Sequence, residues 1–334
     1  MDQTIQYCTS TDGVRLAYSV IGKGTPIVRA SHWMTHLEYE LTSPVRRAFI
    51  LALAHRHSLL RYDARGNGLS QRDVAEISFE HWVNDLERVV DSAALERFAL
   101  LGMSQGASIS IQYAVRHPER VSHLIICGGF ARGNLHKESP SKEKQRLELA
   151  RTLVHEGWGS DHEEYRQWFT SQFIPGGSAE QFHLFNDLQR VSAAPEMAER
   201  YLVEVADINV VDLLPQVKAP TLVLHSTGDV RVPFSSGQEI AAGIPGAKFV
   251  SLTGKNHILL ATEPAYRAFF DAVAKFLGDP PIEGPLPGTE PSEDRLDRAV
   301  KTIEQNWLVK VIVILAAIAG VVIFFLEMWK IWRH

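Results

Sequence analysis

The sequence predicts an α/β chain: a mainly parallel sheet covered on both faces and interrupted by an inserted helical cap. Three observations predict it. Short apolar runs rich in β-branched residues alternate with helical periodicity; the alternation stops between about Arg132 and Leu213, where helical segments follow one another; and it resumes to about Gly278. With 334 residues, 45% of them hydrophobic, the chain has enough apolar side chains for a large core. The net charge is -5 and Lys and Arg are scattered, so no basic field exists to collect nucleic acid, which is not expected as a partner.

In chain order the expected strands are "IVRA" (27–30), "SLLRYD" (58–63), "FALLGM" (98–103), "VSHLIICGG" (121–129), "TLVLHS" (221–226) and "KFVSL" (248–252). Helices are expected between them. In "SFEHWVNDLERVVDSAAL", Ser78 is placed to cap, and Phe79, Trp82, Val83, Leu86, Val89 and Val90 form one stripe at 3.6 spacing. The core is therefore assigned to residues 1–131 and 214–278, with the helical cap at 132–213. The cap is rich in aromatics, most of which are expected to form its own core while a few face a cleft.

Beyond Gly278 the composition changes twice. Residues 279–306 open with "DPPIEGPLPGTEPSEDR", whose prolines deny a regular helix, and read as a linker and juxtamembrane segment. Residues 307–329 read as a transmembrane helix, because Val311 to Leu326 carry no charge and Trp307, Trp329 and Trp332 bracket the run at interface depth. A short tail, 330–334, follows. Ala316 and Gly320 form a small-xxx-small pair through which two such helices would approach as a homodimer. "MDQTIQYCTSTDG" has neither the basic start nor the apolar core of a signal peptide, so a single-pass C-terminal anchor with a cytoplasmic main domain is expected. Two cysteines, Cys8 and Cys127, make no disulfide framework and fit a reducing compartment.

The chemistry is concentrated at Gly102-Met103-Ser104-Gln105-Gly106, a G-x-S-x-G motif with a strand before it and a helical pattern after it. A sharp strand-to-helix turn there lifts the hydroxyl above the sheet edge and aims unpaired helix N–H groups at developing negative charge. The competing reading makes Ser104 an ordinary helix cap. Partners decide between them, since a serine hydroxyl needs an imidazole to take its proton and a carboxylate to orient that imidazole. Asp229 follows the "TLVLHS" strand by three residues and His257 follows "KFVSL" by five, in the order Ser, acid, His. The oxyanion donors expected are the backbone N–H of Gln105 and that of Trp33, in the loop after "IVRA". His32 and His36 lack a matching ligand set, so neither a metal nor a cofactor is expected.

These residues resemble the α/β-hydrolase superfamily. The resemblance rests on "YDARGNGLS" (62–70), "LGMSQGA" (101–107), "PTLVLHSTGDVRVP" (220–233) and "NHILL" (256–260). Further segments, among them "HLEYE" (36–40), "FTSQFIPGG" (169–177) and "FNDLQRVS" (185–192), are similar to hydrolase domains fused to bacterial transcriptional regulators and nucleotide cyclases. The resemblance covers residues 1 to about 278 and implies an α/β-hydrolase fold with Ser104 as nucleophile, Asp229 as acid and His257 as base. Many members carry His-Gly in the oxyanion loop, where this chain has Ser31-His32. Serine at the elbow argues against dehalogenase and epoxide-hydrolase mechanisms, in which a carboxylate is alkylated.

The expected activity is that of a carboxylesterase-like serine hydrolase, cleaving a small, largely apolar carboxylic ester, thioester or lactone through an acyl-enzyme. His32, Met103, Trp158 and Trp168 are expected to line its pocket. The alternative is a membrane-tethered small-ligand receptor that retains a slow triad, as the sensor-fused relatives suggest.

Overall fold

The computed structural model describes residues 3–137, 139–158 and 163–287. In chain order they form β1 (Gln6–Thr9), β2 (Arg15–Ile21), β3 (Pro26–Arg29), α1 (Leu37–Thr42), α2 (Pro44–Ala54), β4 (Ser58–Tyr62), α3 (Phe79–Ser92), β5 (Phe98–Met103), α4 (Gln105–Arg116) and β6 (Val121–Cys127). Then come the cap helices α5 (Pro140–Gly157), α6 (Glu163–Phe173), α7 (Ala179–Ser192) and α8 (Pro195–Ala206). The chain returns to the sheet through β7 (Thr221–Ser226), α9 (Phe234–Gly243), β8 (Lys248–Leu252) and α10 (Pro264–Leu277).

The eight described strands make one sheet in the order β1-β2-β4-β3-β5-β6-β7-β8. From β4 to β8 neighbours are parallel. β1 and β2 pair antiparallel, as do β2 and β4. These two N-terminal strands were not among those expected: β1 is four residues long and largely exposed at the sheet edge, so it carries no apolar run.

Alternation along the strands divides the core in two. Val28, Leu60, Leu100, Leu124 and Val223 face the side covered by α3, α4 and the cap. Their neighbours Ile27, Leu59, Leu101, Ile125 and Leu222 face α2 and α10. This period of two, apolar on both faces, is what a parallel sheet sandwiched between helices requires. Ser78 caps α3 by accepting from the N–H of His81, and the predicted stripe residues Trp82, Val83, Leu86, Val89 and Val90 are all buried.

Residues 279–287 form neither helix nor strand. They nevertheless pack on the body. Leu286 is buried, His57 Nε2 lies 3.0 Å from Asp279 Oδ2, and Arg267 donates to the carbonyls of Ile282 and Gly284 at 2.6 and 2.9 Å. The segment expected to span a membrane, 307–329, lies outside the described residues. Among the described residues no helix is long and apolar enough to cross one.

Candidate active site

Ser104 sits between β5 and α4 with φ 52° and ψ -124°, a left-handed conformation that residues with a side chain rarely adopt. An ordinary N-cap serine is extended and its hydroxyl accepts a helix N–H; Ser104 does neither. The flanking glycines explain how the turn closes. A Cβ at Gly102 would meet Ala107 Cα and the Gly106 carbonyl at 2.7 Å, and one at Gly106 would meet the carbonyls of Ala30 and Ser31 at 3.1 and 3.2 Å. The turn is held to the next strand by a 3.1 Å hydrogen bond from Ser104 N to the Cys127 carbonyl.

Asp229 and His257, one in the loop after β7 and the other in the loop after β8, come together with Nδ1 of the imidazole 2.7 Å from Oδ2 of the carboxylate. The other carboxylate oxygen accepts the backbone N–H groups of Arg231 and Val232 at 2.8 and 2.9 Å. Burial pushes the Asp229 carboxyl up, but the adjacent His257, these hydrogen bonds and His225 outweigh it and hold the group below the usual carboxylate range. An ionised carboxylate only accepts, so Nδ1 carries the donated proton, which leaves Nε2 as the nitrogen turned away from Asp229. His257 is fixed at its backbone by a 2.8 Å bond from its N–H to the Phe173 carbonyl, and its ring meets that of Phe173 edge-on at 5.6 Å. A Cβ on Gly128 would stand 3.3 Å from the imidazole, which places His257 beside the strand end to which Ser104 is bonded.

The two expected oxyanion donors differ in state. Gln105 begins α4, so its N–H is one of the groups a helix leaves unpaired. The Trp33 N–H is engaged, donating to the side-chain Oε1 of Gln105 at 3.2 Å. Behind the loop that carries Trp33, Glu40 Oε2 receives Arg29 Nη2 at 2.7 Å and Arg61 Nη1 at 3.1 Å, all three side chains buried. Arg29 ends β3 and Glu40 lies in α1, so this contact ties the two ends of the loop together. Asp63 anchors α1 from the other side, accepting the N–H groups of Leu37 and Leu69 at 3.1 and 2.9 Å. The Trp33 ring stacks on Trp158 at 5.1 Å and on Tyr201 at 5.9 Å, joining the loop to the cap.

A cavity of about 460 Å³ opens between Ser104, Gln105 and Trp33 on one side and the cap on the other, within the usual range for a small-molecule site. Phe130, Phe173 and Leu202 supply apolar wall. Leu147, Val205, Val230 and Val232 extend that wall, and the charged residues among the lining are Arg132, Lys137, Arg146 and Arg231 with a single carboxylate, Glu143. The cavity thus joins an apolar wall to a set of charged side chains that is mostly cationic.

None of the four expected pocket residues lines this cavity. His32 is 2% exposed and turned toward the buried cluster, where burial, Arg46 and Arg29 hold its pKa well below the ordinary value. Met103 packs with Leu101 on the α2 and α10 side of the sheet, as strand alternation dictates. Trp158 is buried among Trp33 and Phe169 with its indole N–H on the Ala193 carbonyl at 2.9 Å, and Trp168 is 44% exposed on α6. Phe173 is one of the cap aromatics, a few of which were expected to face the cleft; Arg231 was missed, although an arginine beside the acid was the available signal.

A model of the alpha/beta hydrolase fold family matches residues 42–264. Among curated proteins, the chain is 26% identical over 261 residues to RutD of Azorhizobium caulinodans, named as a carbamate hydrolase, covering 75% of this chain and 90% of that one. It is 24% identical over 270 residues to YisY, an AB hydrolase superfamily protein of Bacillus subtilis, covering 75% and 91%. Among solved structures, an esterase from Exiguobacterium antarcticum superposes with TM-score 0.70 at 19% identity over 83% of this chain and all of that one. An enol-lactonase from Burkholderia xenovorans gives TM-score 0.65 at 23% identity over 82% of this chain and all of that one. The sheet order, the elbow at Ser104 and a match over two-thirds of its length make this chain a member of the α/β-hydrolase superfamily.

Proposed function

We propose that the protein is a serine hydrolase that cleaves a carboxylic ester, thioester or lactone through an acyl-enzyme on Ser104. The observation that carries the reading is Ser104 itself: a left-handed residue between two glycines that a Cβ would crowd, its hydroxyl not spent on capping, at the wall of the cavity. The His257–Asp229 pair supports it, as do the hydrolase names of the relatives. Ser104 Oγ attacks the acyl carbon while its proton passes to His257 Nε2, and Asp229 holds the resulting imidazolium. The oxyanion accepts the N–H of Gln105 and that of Trp33, the second after displacing the Gln105 side chain. The imidazolium returns its proton to the departing alcohol or thiol, and water then attacks the acyl-enzyme in the same manner. A carbamate carbonyl would be attacked in the same first step.

The test combines a fluorophosphonate probe with release of p-nitrophenol from esters of graded chain length. We expect one labelled serine, Ser104, many turnovers, and loss of both in Ser104→Ala with the fold retained. Labelling and turnover that persist in Ser104→Ala would overturn the assignment; a single equivalent released from folded protein would favour the ligand-receptor reading. We also propose that residues 307–329 anchor the chain in a membrane, on the sequence argument above. Retention of the full chain in carbonate-washed membranes, and its loss on truncation after Pro287, is the expected result.

A further inference from the structure

The geometry points to a substrate that carries a carboxylate away from its scissile bond, received by the guanidinium of Arg231. This inference rests on the proposed hydrolase reading and adds the substrate class to it. It begins from the pairing of the cavity's cations. Arg132 forms an ion pair with Glu239, Arg146 pairs with Glu143 at 2.7 Å, and Lys137 Nζ donates to Asn134 Oδ1 at 2.6 Å. Arg231 differs. Its backbone N–H is bonded to Asp229, but among the described residues its guanidinium has neither a hydrogen-bond acceptor nor an ion-pair partner.

Asp229 is not that partner: its oxygens face His257 and two backbone N–H groups, and it acts on the guanidinium only at longer range. What the guanidinium has instead is an aromatic face: its central carbon lies 5.2 Å over the ring of Phe173, the ring that also meets His257. The charge is therefore held one ring away from the proposed base, in the wall of the cavity. Burial lowers the Arg231 pKa against the pull of Asp229, as expected of a cation short of compensation. The side chain is only partly buried, so its donors are open to the cavity, and an anion supplied by the ligand would meet them there. A planar fork with parallel donors matches a carboxylate, whereas the ammonium of Lys137, which meets only the neutral amide of Asn134, offers no such fork.

The experiment uses the full-length chain and two esters of equal acyl length, mono-p-nitrophenyl glutarate and p-nitrophenyl valerate. The wild type is expected to favour the anionic ester at least tenfold in kcat/KM, chiefly through KM. Arg231→Gln should lower that ratio at least tenfold, with Arg231→Lys in between. A second arm measures the melting temperature of Ser104→Ala with glutarate or glutaramide, first alone and then combined with Arg231→Gln; only glutarate, and only with Arg231 retained, should raise it. Ser104-dependent turnover of both esters at similar kcat/KM, or a ratio unmoved by Arg231→Gln, overturns the carboxylate inference and leaves the hydrolase reading standing. Absence of turnover and of probe labelling overturns the hydrolase reading instead, and the melting arm then decides: an Arg231-dependent shift upholds the carboxylate site, and no shift overturns it.

Discussion

Replacing Glu40 by glutamine tests how the loop carrying Trp33 is held. Burial pushes the Glu40 carboxyl up, but Arg29, Arg61 and Arg46 outweigh it and hold the group at about 2. Burial draws Arg46 and Arg61 down to about 10 against the opposing pull of Glu40, so the carboxylate is what makes these cations tolerable. The drop from the ordinary 4.5 to about 2, at about 1.4 kcal/mol for each pH unit, amounts to about 3 kcal/mol of stability at neutral pH. Because the folded value is the lower one, this contribution is complete above the unfolded value and is lost as pH falls through the folded one. Glu40→Gln should therefore be about 3 kcal/mol less stable than wild type in urea unfolding at pH 6, a range also expected when one member of a buried pair is removed. By pH 3.5 the gap should narrow by about 1 kcal/mol, because the wild type is then losing what the variant never had. A gap below 1 kcal/mol at pH 6, or one that does not change with pH, would refute the reasoning.

Two further outcomes follow from the same geometry. Gln105→Glu should place a carboxylate on the Trp33 N–H, leaving that donor occupied and adding negative charge beside the oxyanion; kcat on p-nitrophenyl esters should fall about 10²- to 10³-fold with little change in melting temperature. A chain ending at Gly278 should melt about 4–8 °C below one ending at Pro287, since it loses the buried Leu286, worth about 2 kcal/mol, and the contacts of Asp279 and Ile282. Equal melting temperatures for the two would show that the packing of this segment contributes nothing.

What was legible in the sequence was whatever short-range sterics decide. The parallel strands announce themselves because residues such as Leu100 and Leu101 are buried on opposite faces, and the elbow because glycines at 102 and 106 answer contacts made within a few residues or with one adjoining loop. Asp229 and His257 were found by their distance past strand ends, a rule that parallel topology supplies. The pocket was not legible. Trp158 and Trp168 look alike in sequence, yet one is 4% exposed and the other 44%, because the burial of a cap side chain depends on what the cap packs against. Arg231 is distinguished by the partner it lacks, a property of the folded chain alone.

The carbonyl of Phe173 receives the N–H groups of both His257 and Ile258, at 2.8 and 3.2 Å, while three residues on Gly176 donates to Asn256 Oδ1 at 2.8 Å. The cap is thus sewn at this corner to the loop that carries the proposed base. A cap that swung away here as a rigid lid would have to break these three bonds or draw the loop of His257 with it. The α5 side of the cavity, where Glu143, Leu147 and Ala150 form part of the wall, carries none of these three bonds.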